Sequence, residues 1–110
     1  MAEAFRRGSV DSSGIVAGDN FVYLGFEDFD RIAIHTESVT NVDVTVEGTI
    51  NGTHYIDVTN ELFNVTTLAA NSYYSMIAAA QTAIFQNIRI KYVRTDASNV
   101  IKFNWAIKKS

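Results

Sequence analysis

Among the side chains of this 110-residue chain, His35 and His54 are the ones best suited to moving protons or holding a metal near neutral pH. Glu37 or Asp57 could add carboxylate ligands, yet neither histidine sits in a spaced motif such as H-E-x-x-H on a helix. Both are expected on an exposed strand face or a turn edge. Glu27-Asp28-Phe29-Asp30 is the densest acidic run, and it lacks the glycine placement and closing glutamate of an EF-hand. It reads as a polar loop. No Gly-x-Ser-x-Gly elbow and no phosphate-cradling glycine-rich loop is present. The absence of cysteine removes thiolate chemistry and disulfides. Carboxylate pairs for glycoside hydrolysis are defined by separation in space, so spacing along the chain does not identify them. The reading is a binding protein, not an enzyme, with no catalytic residues, no cofactor and no metal.

Candidate binding residues come next. Arg89, Lys91, Tyr92 and Arg94 put bases beside an aromatic, as single-strand nucleic-acid binders do. The sequence pI of about 5.2 opposes that role, and a solvated strand face is expected instead. Residues 1–18 carry Phe5 beside Arg6-Arg7, then a short apolar island at Ile15-Val16-Ala17. They read as an N-terminal arm before a domain at 19–110, either frayed or ordering on a neighbouring subunit. Tyr73 and Tyr74 are an adjacent aromatic pair. Phe5, Arg6, Arg7, Tyr73 and Tyr74 are therefore the candidate interface residues, aromatic and arginine side chains being the usual anchors.

The net charge of −3 is unevenly laid out. Between Gly8 and Glu61, Asp11, Asp19, Glu27, Asp28, Asp30, Glu37, Asp43, Glu47, Asp57 and Glu61 are opposed by Arg31 alone. From Leu62 onward, Arg89, Lys91, Arg94, Lys102, Lys108 and Lys109 face Asp96 alone. Either the strands interleave and the signs neutralise, or complementary surfaces guide association.

The elements that must position these residues alternate with period two. Val42-Asp43-Val44-Thr45-Val46-Glu47 puts three valines on one face, the pattern of a half-buried strand. Asn51-Gly52 favours a type I′ turn, and Tyr55-Ile56-Asp57-Val58 follows, so a hairpin is expected across 42–58. Phe21–Leu24, Arg31–His35 and Asn87–Tyr92 are further strands. In Val100–Ile107, Ile101, Phe103, Trp105 and Ile107 share a face, and Thr95–Asn99 is the preceding turn. Ser72–Ala78 reads as a strand and Ala79–Phe85 as a connection. About seven or eight such strands imply an all-β, two-sheet antiparallel sandwich. No segment suits a signal h-region or a membrane helix, so a soluble protein made in the cytoplasm is expected, with no membrane or nucleic-acid partner.

The stretch Val42–Tyr55, with Glu47-Gly48 leading through Asn51-Gly52 to Tyr55, resembles a recurrent element of small jelly-roll domains. There it pairs with a downstream arginine-containing strand, which Phe85–Tyr92 resembles. Galactose-binding-like and discoidin-like sandwiches share this arrangement. So do short, cysteine-free virion proteins of tailed bacteriophages, among them capsid decoration (cement) proteins. The resemblance spans about residues 21–107. Thr53 and His54 intervene before the aromatic, and no discoidin loop motif is matched, so no sugar- or lipid-contacting residue carries over. What the resemblance implies is a virion structural protein made in the host cytoplasm. It would bind the major capsid protein or other virion proteins, as a homo-oligomer. A tail or fibre accessory protein is one alternative. A carbohydrate-binding module stacking glycan on Tyr73 and Tyr74, with Trp105 in the core, is another.

Overall fold

The computed structural model describes residues 5–11, 18–25, 29, 31–40, 42–75, 85–94 and 100–108. Its elements are β1 (Phe5–Asp11), β2 (Gly18–Tyr23), β3 (Arg31–Thr40), β4 (Asp43–Thr49), β5 (Ile56–Asp57), α1 (Thr59–Phe63), β6 (Ser72–Ser75), β7 (Asn87–Arg94) and β8 (Val100–Lys108). The pairing is nested. β4 pairs with β5, β3 with β6, β2 with β7 and β1 with β8, all antiparallel. The chain is thus one long ribbon doubled back at the 50–55 loop. Successive pairs fall alternately into two four-stranded sheets, ordered β1-β8-β3-β6 and β2-β7-β4-β5. Rolling the ribbon adds the β3–β8 and β4–β7 ladders. This is an all-β sandwich with jelly-roll strand order.

Alternation places the core. Ile32 and Ile34 on β3, Val44 and Val46 on β4, Ile88, Ile90 and Tyr92 on β7, and Ile101, Phe103 and Ile107 on β8 are buried between the layers. Each large apolar side chain so removed from water contributes about 1.5–3 kcal/mol. Two buried threonines tie loops to this core. The Thr36 hydroxyl donates to the Ala69 carbonyl and accepts the Ser72 N–H at 3.2 Å. Thr59 Oγ1 accepts the Val46 N–H at 2.8 Å and donates to Asp57 at 2.7 Å, fixing α1 beside β4.

Several expectations change. The 42–58 hairpin forms, but its ladder is limited to Glu47↔Asp57 and Gly48↔Ile56. Asn51-Gly52 does not make a type I′ turn, because only Gly52 of the two has positive φ (82°). The Asn51 carboxamide oxygen instead accepts the N–H groups of Thr53 and His54, each at 2.9 Å, an Asx-type turn that competes with the two-residue hairpin. α1 was not anticipated. Val58 at its N-terminal end makes no side-chain cap, Asp57 accepts the Thr59 N–H at 3.0 Å, and left-handed Asn64 closes its C-terminal end. The strand expected at Ser72–Ala78 is seen at Ser72–Ser75. Its remainder, residues 79–84 of the connection, and the turn at Thr95–Asn99 lie outside the described residues.

The N-terminal segment also reads differently. Where an arm over residues 1–18 was expected, Phe5–Asp11 is an edge strand paired along its whole length with β8 of the same chain. Residues 1–4 and 12–17 lie outside the described residues. Gly8 is the reason β1 can lie so close. A Cβ on it would stand 2.4 Å from the Trp105 ring, which half-buries itself on the inner face between Gly8 and Ile34.

Candidate functional site: the outer sheet faces

With inward side chains committed to the core, the outer faces carry whatever chemistry the fold offers. The nested ribbon lays basic strands between acidic ones: β7 lies between β2 and β4, and β8 lies beside β3. Arg89 pairs with Glu47 at 2.7 Å, Lys91 with Asp19 at 3.9 Å and Lys102 with Glu37 at 3.9 Å. Strand register thus brings three acidic residues of the first half of the sequence against three basic residues of the second.

On the second sheet Arg89 makes a dense set of contacts. Its guanidinium lies 4.0 Å from the Phe21 ring centroid and 3.9 Å from that of Tyr55, so aromatic rings flank it. Nε donates to Glu47 at 2.7 Å and Nη1 to the Tyr23 hydroxyl at 3.2 Å. Partial burial is the largest single influence on its pKa and acts downward. The hydrogen bonds and charges of Glu47 and Tyr23 together outweigh it, and the net shift is upward. Arg89 stays cationic and saturated. It acts as a clamp joining β2, β4, β7 and the 50–55 loop.

The first sheet differs. Ala106 on β8, Ala33 on β3 and Ser75 on β6 lie side by side in one outward-facing row, with Arg7 of β1 at its end. Small side chains in the middle of the row sink the surface into a basin of about 380 Å³. Arg7, Arg31, Lys108 and Tyr73 rise around it. Arg31 and Lys108 are direct cross-strand neighbours. Tyr73 is 69 % exposed, the highest value among the large apolar side chains described.

The five candidate interface residues separate by parity. Arg7 and Tyr73 come together at the basin. Arg6, one residue earlier, turns to the other side of β1. There it donates to the Leu24 carbonyl at 3.3 Å and lies 5.5 Å from the Phe29 ring centroid. Tyr74 likewise turns inward, its ring 5.9 Å from Phe63 and its hydroxyl accepting the Ala69 N–H at 2.8 Å. The Phe5 backbone faces Lys108. The sequence reading missed Arg31 and Lys108 as basin residues, since only the β3–β8 register brings them together.

The histidines stay at the periphery. His35 is exposed opposite Tyr73, and His54 sits in the 50–55 loop with Nδ1 3.1 Å from Asn51 Nδ2. Among the described residues, no three of His, Asp and Glu gather as metal ligands. Of the Glu27-Asp28-Phe29-Asp30 run, Phe29 alone is described. No helix among the described residues is long and apolar enough to cross a membrane.

The sequence matches no protein-family model and no curated protein. In fold, the chain is similar to the SPBc2 prophage-derived protein YomS, known from a crystal structure, with a TM-score of 0.60 and 9 % sequence identity. The likeness covers 97 % of this chain and 96 % of that one, so the two share the sandwich from end to end.

Proposed function

We propose that this chain is a non-enzymatic structural protein of a bacteriophage virion, and within that class a capsid decoration or cement protein. The observation that carries this reading is the likeness in fold, over nearly the full length of both chains, to a prophage-derived protein. The architecture is consistent with it. The jelly roll satisfies its core internally and leaves two broad outer faces available for neighbouring virion subunits, the first of them bearing the basin with exposed Tyr73 and its cations. Such a protein acts by position and surface complementarity.

Quantitative mass spectrometry of gradient-purified particles tests this. Copies in proportion to the major capsid protein are expected for decoration of a symmetric shell. A handful per particle would move the protein to the tail or a fibre. Absence from purified particles would overturn the virion reading.

A further inference from the structure

We propose that Asn51 is a self-modifying site: the 50–55 loop promotes closure of the Asn51 side chain onto the Gly52 nitrogen as a succinimide, which water opens to aspartate or isoaspartate. This goes beyond the virion reading and does not depend on it.

Asparagine followed by glycine favours this ring closure, since glycine has no side chain to crowd the attacking nitrogen. The structure adds the placing of groups around the reacting atoms. The electrophile is Cγ of Asn51. Its oxygen, Oδ1, accepts the N–H groups of Thr53 and His54 at 2.9 Å each and the Thr49 hydroxyl at 3.1 Å. Donors at this range stabilise the negative charge that an amide oxygen gains when its carbon is attacked. The nucleophile is the Gly52 nitrogen, whose N–H donates to the same Thr49 oxygen at 3.0 Å. One hydroxyl thus bridges nucleophile and electrophile. The leaving group is Nδ2, which lies 3.1 Å from Nδ1 of His54, and an imidazole suits proton exchange near neutral pH. Asn51, Gly52, Thr53 and His54 are all exposed, so water reaches the loop.

These groups carry the protons that the step requires. Gly52 N bonds to Asn51 Cγ, and its proton passes to Thr49 Oγ1, which gives its own proton to Oδ1. As the tetrahedral carbon collapses, Oδ1 releases that proton to water and the Cγ–Nδ2 bond breaks. Nδ2 departs as ammonia with a proton from the His54 imidazolium, and solvent restores that proton. Water then opens the ring at either carbonyl. One opening leaves aspartate, the other isoaspartate, whose main chain is a methylene longer. Either product puts a negative charge beside exposed Ile50 and Ile56, at the loop where the ribbon doubles back. Older copies of the protein thus present a different loop from newly made ones.

The test ages the whole folded protein in neutral buffer beside the same protein unfolded in urea. Peptide mapping by mass spectrometry, with the aspartate and isoaspartate forms separated by chromatography, follows each asparagine. Both products are expected at position 51, at least about tenfold faster in the folded chain, within what general acid–base catalysis supplies. Thr49→Val should bring the folded rate down to about the rate in urea and leave the latter unchanged. Thr49→Ser keeps the hydroxyl and should keep the acceleration. His54→Gln leaves the backbone donors in place and should slow the folded chain about fivefold. Circular dichroism verifies the fold of each variant. A folded rate no faster than the unfolded one would overturn the proposal, by showing that the turn protects Asn51. So would products confined to other asparagines, or an acceleration that survives Thr49→Val; should that variant not fold, an acceleration that survives His54→Gln decides in its place.

Discussion

Replacing Gly8 with alanine tests the claim that the N-terminal segment belongs to the sandwich. A Cβ at this position would lie 2.4, 2.5 and 2.7 Å from Trp105 Cζ2, Cε2 and Nε1, whereas favourable contacts lie near 3.5–4.0 Å. The indole must therefore retreat by about 1 Å, or β1 must lift. Its retreat is obstructed, because Ile34 is its neighbour on the other side and is fully buried. Overpacking of this kind costs about 1–3 kcal/mol. Alanine recovers about 0.4–1 kcal/mol by narrowing the unfolded ensemble, so the net loss is about 0.5–2 kcal/mol. At roughly 4–8 °C per kcal/mol for a small domain, Tm falls by several degrees. The assay is built in, since Trp105 is the sole tryptophan. Urea unfolding followed by its fluorescence reports both the midpoint and the ring's surroundings. Gly8→Ala should lower the midpoint and red-shift the native emission, and Trp105→Leu should absorb most of the penalty in a double-mutant cycle. An unchanged midpoint with unshifted emission would refute the close approach of β1 to Trp105.

Three further outcomes are expected. Arg89→Ala breaks a clamp whose carboxylate partner, Glu47, is half-buried at 14 % exposure. The loss is about 2–4 kcal/mol in urea unfolding, and Arg89→Lys should restore only part of it because an ammonium cannot fork or stack alike. Thr36→Val leaves the Ala69 carbonyl and Ser72 N–H without their partner. It should cost about 1–3 kcal/mol and speed amide exchange selectively in β6. Arg31→Gln relieves repulsion from Lys108, so Tm should rise at low salt and the gain should shrink as salt is added. A fall in Tm at low salt would show that the cation pair is not costly.

Where one face of a strand is dry and the other wet, the sequence is easy to read. Val42–Glu47 and Val100–Ile107 reveal their inward sides directly, and with them the sandwich. β1 is hard to read for the opposite reason. Its inward row holds Arg6, Gly8 and Val10, and Gly8 makes sense only once Trp105, from the other end of the chain, is laid over it. Asn51-Gly52 marks a turn, but which turn depends on the Asn51 side chain outcompeting the hairpin geometry. At the basin, Arg7 and Tyr73 were recognised by residue type. Arg6 and Tyr74 were grouped with them by adjacency, although period two sends neighbours to opposite faces. Arg31 and Lys108 lie too far apart in sequence for any local pattern to join them.

The nesting of the ribbon has a consequence for biosynthesis. During translation β4 and β5 can meet as soon as both have emerged, whereas β1 has no partner among the described strands until β8 has been made. The first of the described strands is thus the last of them to be satisfied. Meanwhile it waits as an open edge able to pair with other nascent chains. Closing the longest loop last also makes folding slow, in the millisecond-to-second regime of non-local β topologies. Yield in a crowded ribosomal setting should therefore depend on how soon β8 emerges to pair with β1.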